Sequence, residues 1–119
     1  PEYFRIAEVT LGGGQDRIEL PIEGTELKKW ILICNINPGG PFGGSATQYF
    51  VGTFDGKRFV NESPEATKWM EWGKDHYATV TWNNTPEGRH IALAWMSNWQ
   101  YANNVPTTQY RSGNSVPVI

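Results

Sequence analysis

Apolar residues in this chain come in short runs that alternate with polar ones. No stretch carries the three-to-four spacing of a convincing amphipathic helix. Period-two alternation, rich in β-branched and aromatic residues, predicts strands at residues 3–10 (YFRIAEVT), 16–21 (DRIELP), 30–35 (WILICN) and 47–54 (TQYFVGTF). Further strands are expected at 57–60, 67–72 (TKWMEW), 76–82 (HYATVTW) and 89–96, with a last short one at 115–119. Turn chemistry separates them. Gly12, Gly13 and Gly14 break the chain after the first strand, a turn centres on Glu23-Gly24-Thr25, and residues 37–46 (NPGGPFGGSA) read as a flexible loop. Asp55-Gly56 is a two-residue hairpin signal, Gly73-Lys74-Asp75 a turn, and residues 83–88 (NNTPEG) a turn by composition. About eight or nine short strands with turns every ~8–12 residues is the pattern of a sandwich, barrel or propeller.

Residues 91–101 (IALAWMSNWQY) organise the rest. Ile91, Leu93 and Trp95 alternate with Ala92, Ala94 and Met96, so both faces are apolar and a strand buried between neighbours is expected. Ser97, Asn98, Trp99, Gln100 and Tyr101 then bring amides and flat rings together. A ring stacks on the C–H face of a sugar while amides take its hydroxyls, which makes this sugar-gripping chemistry. Ordinary core packing of Trp95 and Trp99 is the competing reading. Residues 30–59 and 76–96 both read strand, connection, strand, a weak repeat at about the 40–50-residue spacing of propeller blades.

Composition narrows the classes. A chain of 119 residues suits one small domain with one core. Six Trp, five Tyr and five Phe beside 13 Gly and 8 Pro reinforce the all-β reading. A net charge of -2 with no basic run leaves no footprint for nucleic acid, and no apolar run approaches the ~20 residues of a membrane span. No signal-peptide pattern is visible, and the opening Pro1-Glu2-Tyr3 without methionine is expected of a processed chain or a fragment. The single Cys34 excludes an internal disulfide and a thiolate zinc cluster, and its apolar surroundings predict a small packed hydrophobe. His76 and His90 fit no metal-binding spacing, so neither a metal nor a cofactor is expected.

Three segments resemble a known family. Residues 43–59 (GGSATQYFVGTFDGKRF), 69–82 (WMEWGKDHYATVTW) and 92–108 (ALAWMSNWQYANNVPTT) are similar to the C-terminal part of the catalytic propeller of glycoside hydrolase family 32. That family contains levanases, exo-inulinases and invertases, and the resemblance runs over about residues 19–116. It implies roughly two blades of a five-bladed β-propeller, built of antiparallel four-stranded sheets. Residues 1–15 would be a divergent strand and Gly-rich join, 16–66 would be fourth-blade-like and 67–119 fifth-blade-like. The family's nucleophile motif, of the form WMNDPNG, and its RDP motif do not occur in this sequence. Its acid/base glutamate lies in an ECP motif shortly before a segment resembling residues 19–24, and that alignment puts Gly13 in its place. Retaining glycosidases need two carboxyls about 5 Å apart, so no catalytic residue is expected in this chain. A truncation junction, a divergent non-catalytic relative and an engineered linker all remain open as the source of the join.

The resemblance also implies a substrate-lining set. Trp95, Asn98, Trp99 and Gln100 match a segment near the fructosyl pocket, and Trp99 is favoured as the wall because Trp95 still follows the strand alternation. Asp75 and Tyr77 match a G-x-D-x-Y-A segment. Asp75 would orient substrate hydroxyls or hold Tyr77 at the rim; alternatively it caps the turn after Gly73. Glu71 and Asp75 are not expected to form a catalytic dyad. Arg111 and Ser112 match a segment with an expected structural role, and Asn61-Glu62-Ser63 and Asn83-Asn84-Thr85 are glycosylation sequons, each followed by proline.

The expected function is therefore a fragment or derivative of a β-fructosidase, a fructan or sucrose hydrolase acting through a covalent fructosyl-enzyme, with lining residues but without the catalytic carboxylates. The alternatives are a non-catalytic fructan-binding module and a structural piece that assembles with other chains. Expected partners are a fructan or other β-fructoside, together with copies of the chain or the remaining blades, since two blades leave unpaired strand edges. The resemblance implies a secreted or periplasmic location.

Overall fold

The computed structural model describes residues 8–10, 16–21, 28–82 and 84–119. The start of the first expected strand, the join around Gly13, the turn at Glu23-Gly24-Thr25 and the sequon residue Asn83 lie outside the described residues. The described elements are eight strands: β1 (Glu8–Thr10), β2 (Asp16–Pro21), β3 (Lys28–Ile36), β4 (Ala46–Phe54), β5 (Arg58–Asn61), β6 (Lys68–Trp69), β7 (Tyr77–Trp82) and β8 (Ile91–Trp95). Two short 3-10 turns, Pro86–Gly88 and Ala102–Asn104, complete them. Strands β1 to β6 form one sheet in the order β1-β5-β4-β3-β2, with β6 on β4; β7 and β8 form a second.

The chain divides into two compact units. One holds the described residues up to Cys34 together with Gln48–Lys68. Here β2 and β3 pair antiparallel from Asp16 opposite Ile33 to Pro21 opposite Lys28. The hairpin of β4 and β5 sets Phe54 opposite Phe59. Its turn closes as the Asp-Gly signal demands: the Asp55 carboxylate accepts from the Lys57 and Arg58 N–H groups at 2.8 and 2.7 Å, and Gly56 takes φ 99. Leu32, Phe50 and Phe59 form the buried core, with Trp30, Cys34 and Phe54 packed against it. Trp30 and Phe54 meet edge to face, centroids 5.1 Å apart. Burying each such side chain contributes about 1.5–3 kcal/mol, so this unit is held by packing.

The other unit is Asn35–Thr47 with Trp69–Ile119. In it β7 pairs antiparallel with β8, Tyr77 opposite Trp95 and Trp82 opposite Ile91, with a register shift between Tyr77 and Val80. Ala78 sits at the shift with φ 51, a left-handed backbone that kinks the strand and turns Thr79 inward. On β8 the small Ala92 and Ala94 are buried, while Ile91, Leu93 and Trp95 are only half-buried. The strand apolar on both faces is thus not sandwiched on both; its bulky face stays partly open. The expected last strand appears as two bridges, Ala92 with Val118 and Trp95 with Asn114, which pair the free edge of β8. The sequon residue Asn61, in the first unit, is buried, and its amide oxygen accepts the Ser63 N–H at 3.1 Å.

Candidate functional site

The site lies in the unit containing β7 and β8, and its centre is Asp75. This residue follows the Gly73-Lys74 turn and takes φ 68, a left-handed conformation that aspartate tolerates better than most residues. Its side chain does not cap its own turn. Oδ1 accepts from the Ser45 N–H at 3.0 Å, lies 3.0 Å from Ser45 Oγ, and accepts from Asn98 Nδ2 at 2.8 Å, while Oδ2 accepts the Tyr101 hydroxyl. Ser45 Oγ is also 3.0 Å from the Ser97 carbonyl, so its single proton serves one acceptor at a time. One carboxylate thereby ties together the end of the glycine loop and the arm of residues 97–101.

The electrostatics follow. Burial pushes the Asp75 carboxyl up, but the hydrogen bonds from Tyr101, Ser45 and Asn98 outweigh it and leave it below the usual carboxylate range. Burial, reinforced by the bond to Asp75, pushes the Tyr101 hydroxyl up to about 12. Lys74 Nζ stands 5.2 Å from the Tyr101 ring centroid and holds the ring by a cation–π contact. An ionised carboxylate saturated with donors is a poor proton donor and a poor nucleophile; it is suited to holding geometry.

Beneath it lies a second polar group. The Thr47 hydroxyl lies 2.8 Å from the His76 carbonyl, 3.0 Å from Asn35 Oδ1 and 2.6 Å from the Thr79 hydroxyl. His76 Nδ1 sits 3.2 Å from Thr47 Oγ1, and the Thr79 N–H donates to Asn35 Oδ1 at 2.8 Å. Burial pushes the His76 imidazole down, against the pull of the Glu71 carboxylate. His76 is only 4 % exposed, so it is held neutral at pH 7.

The glycine loop is tied rather than flexible. The Gly39 and Gly40 N–H groups donate to the Gly44 carbonyl at 3.3 and 2.8 Å, and Gly43 N–H donates to the Gly40 carbonyl at 3.2 Å. A Cβ at Gly44 would fall 2.6 Å from Asp75 Oδ1 and 2.9 Å from the Tyr101 hydroxyl, so only glycine allows this approach. Pro38, Gly39, Gly40 and Gly44 face Asn98, Gln100 and Tyr101 across an open cleft of about 300 Å³.

The expected residues divide by environment. Asn98 is 2 % exposed, with Nδ2 on Asp75 and Oδ1 accepting the Gln100 N–H at 3.0 Å. Trp99 is 76 % exposed, and Gln100 lines the cleft. Trp95 meets Trp99 edge to face at 5.3 Å between centroids and lies 6.4 Å from Tyr77, so the three rings form a continuous run. Glu71 accepts the Gly73 N–H with one oxygen, a local turn contact. Arg111 donates to the Asn103 carbonyl at 3.4 Å on the surface. Among the described residues no three of His, Cys, Asp or Glu group as metal ligands. Sequence reasoning passed over Ser45 and Gly44, and named Tyr101 only within the run of amides and rings. The available signal was the density of glycines ending in Ser45, which marks a loop that another part of the chain must approach closely.

An all-β protein of antiparallel sheets with a glycine-rich cleft bordered by Asn98, Gln100 and Tyr101 is the class these observations define. Comparison with known proteins agrees. Residues 10–118 match the profile of the glycosyl hydrolases family 32 N-terminal domain. The chain is 52% identical over 96 residues to an extracellular exo-inulinase of Meyerozyma guilliermondii, covering 80% of this chain and 18% of that protein. It is 47% identical over 106 residues to a levanase of Bacillus subtilis, covering 86% and 16%. A fructofuranosidase of Schwanniomyces occidentalis, solved in complex with fructose, superposes with a TM-score of 0.76 at 47% identity, covering 87% of this chain and 20% of that one. The chain belongs to glycosyl hydrolase family 32, and its fold is part of that family's five-bladed propeller. It spans about a fifth or less of the length of these relatives.

Proposed function

We propose that this chain forms part of the substrate-lining wall of a β-fructoside hydrolase, a protein that cleaves fructan or sucrose with water and releases fructose. The observation that carries the reading is Trp99. A tryptophan left 76 % exposed between two cleft-lining residues, Asn98 and Gln100, on an arm locked at its base by Asn98, is a stacking surface prepared in advance rather than a packing element. Trp99 would stack on the apolar face of a fructosyl unit, Gln100 would take hydroxyls, Trp95 and Tyr77 would back the stacking ring, and Asp75 and Asn98 would hold the arm. The nucleophile and the acid/base carboxyl of the retaining reaction would come from outside these 119 residues; the absence of WMNDPNG-type and RDP motifs from the sequence supports this, and the Asp75 carboxylate is already engaged by three residues. The reading also includes a blade boundary near residues 66 and 67, and a secreted protein, as the name of the extracellular yeast relative suggests.

The test is calorimetric titration of the chain with an inulin-type fructo-oligosaccharide. Binding lost by at least about tenfold in Trp99→Ala supports the reading. Binding unchanged in that variant removes Trp99 from the site. Release of free fructose by the chain alone would overturn the placement of the carboxylates elsewhere.

A second reading, a piece that assembles with further blades or copies, draws on Val80 and Trp82, which are exposed on alternate positions of β7. Light scattering tests it, since a stable monomer at all concentrations excludes self-assembly.

A further inference from the structure

We propose that Asp75 is a positioning residue, coupling the glycine loop to the arm that carries Trp99 and Gln100, so that the two sides of the cleft are set by one carboxylate. The inference rests on the reading of Trp99 and Gln100 as the sugar-lining pair, and it concerns a residue that touches neither substrate nor reacting atoms.

Two features point the same way. First, the partners of Asp75 are remote in sequence and lie on both sides of the cleft. Ser45 follows the loop residue Gly44, whereas Asn98 and Tyr101 flank Trp99 and Gln100. Through Asn98 the connection runs on, since Asn98 Oδ1 accepts the Gln100 N–H at 3.0 Å. Second, Gly44 leaves no room for a methyl group against Asp75 and Tyr101, so the loop is seated directly on the carboxylate and its phenol partner. A residue serving only its own turn would need neither.

The coupling has a mechanical consequence. Removing the carboxylate leaves the Ser45 N–H, the Asn98 amide and the Tyr101 hydroxyl without their acceptor, and buried donors without partners force rearrangement. Loop and arm are then free to separate, and a stacking ring displaced by about 1 Å loses its advantage.

The experiment measures two quantities on the whole 119-residue chain and its variants: affinity for an inulin-type fructo-oligosaccharide, and hydrogen exchange at the Ser45 and Gln100 amides. Asp75→Ala is expected to weaken binding by about tenfold or more, and to raise exchange at both amides together. Gly44→Ala leaves Asp75 and Trp99 unsubstituted and its backbone φ lies outside the left-handed region, yet by pushing the loop off the carboxylate it should reproduce both effects. Asp75→Asn keeps an acceptor in the Oδ1 position and tolerates the left-handed backbone, so it should recover most of the affinity. A purely structural residue would raise exchange throughout the unit and would not be rescued selectively. Wild-type affinity together with unchanged exchange at Ser45 and Gln100 in both Asp75→Ala and Gly44→Ala would overturn the proposal. If Asp75→Ala does not fold, Gly44→Ala and Asp75→Asn decide it. If binding is unaffected by Trp99→Ala, or the wild-type chain does not bind, the sugar-lining reading fails. The paired exchange at Ser45 and Gln100 still decides the coupling in that case.

Discussion

The sheet around Leu32, Phe50 and Phe59 and the network around Asp75 are built from opposite materials. The first buries large apolar side chains, with an aromatic edge-to-face pair at its flank. The second buries Ser45, Thr47, Asp75, His76, Thr79, Ser97 and Asn98, and among the described residues its buried apolar side chains are alanines. Apolar packing is non-directional and tolerates small shifts. A buried polar network is directional, and each member must be satisfied or it costs free energy. The comparison teaches why a binding surface belongs with the second kind: hydrogen bonds fix the angle of an arm in a way that packing alone does not.

Mutations can break this comparison from either side. The largest stability effect is expected from Phe59→Ala, since Phe59 is 0 % exposed and its loss leaves a cavity costing about 3–5 kcal/mol. Denaturant unfolding measures it, and a loss below about 1 kcal/mol would mean that the apolar core is not what holds its unit. Asp75→Ala should cost less, about 1–3 kcal/mol, because the network can partly rehydrate. A cost as large as that of Phe59→Ala would erase the distinction between the two regions.

Acid should act on the polar region through two groups. His76 is held below its ordinary value, so as pH falls below about 6.5 the unfolded chain takes up a proton that the folded one refuses, and stability declines. Asp75 is also held low, so its contribution is complete above about 4 and is lost as pH falls through its lower folded value. Unfolding free energies between pH 7 and pH 3 check both. His76→Gln should flatten the first decline and Asp75→Asn the second.

The smallest stability effects sharpen the comparison. Trp99→Ala should change unfolding free energy by no more than about 0.5 kcal/mol while removing carbohydrate binding, as expected of an exposed ring kept for contact rather than for packing. Cys34 belongs to the apolar region, where burial pushes its thiol up to about 11. It should therefore react slowly with iodoacetamide at pH 8, and rapid labelling in the folded state would show that the region opens.

Much of the fold was legible in the chain because strands announce themselves locally. Residues 16–21 were read at their observed bounds, and the Asp55-Gly56 turn forms as its chemistry requires. The strand at 67–72 shrank to Lys68–Trp69, since alternation alone does not supply a partner strand to pair with. The loop at 37–46 looked flexible because glycine frees the backbone, yet Gly40 and Gly44 serve close approach, and Gly39 and Gly43 hold positive φ.

Of the site, the sequence by itself determined the materials: a run of amides and rings at residues 97–101, a glycine-dense loop, a lone aspartate after a turn, and the family they resemble. Only the tertiary structure decided which of these are exposed and which are spent. Trp99 and its neighbour Asn98 look equally able to meet a sugar in the sequence, but one is open to solvent and the other is buried with both polar atoms of its amide already bonded. The reason is physical. Residue type and spacing are local properties, whereas the partner of a carboxylate is whatever the fold brings within about 3 Å of it, and the partners of Asp75 come from 23 to 30 residues away.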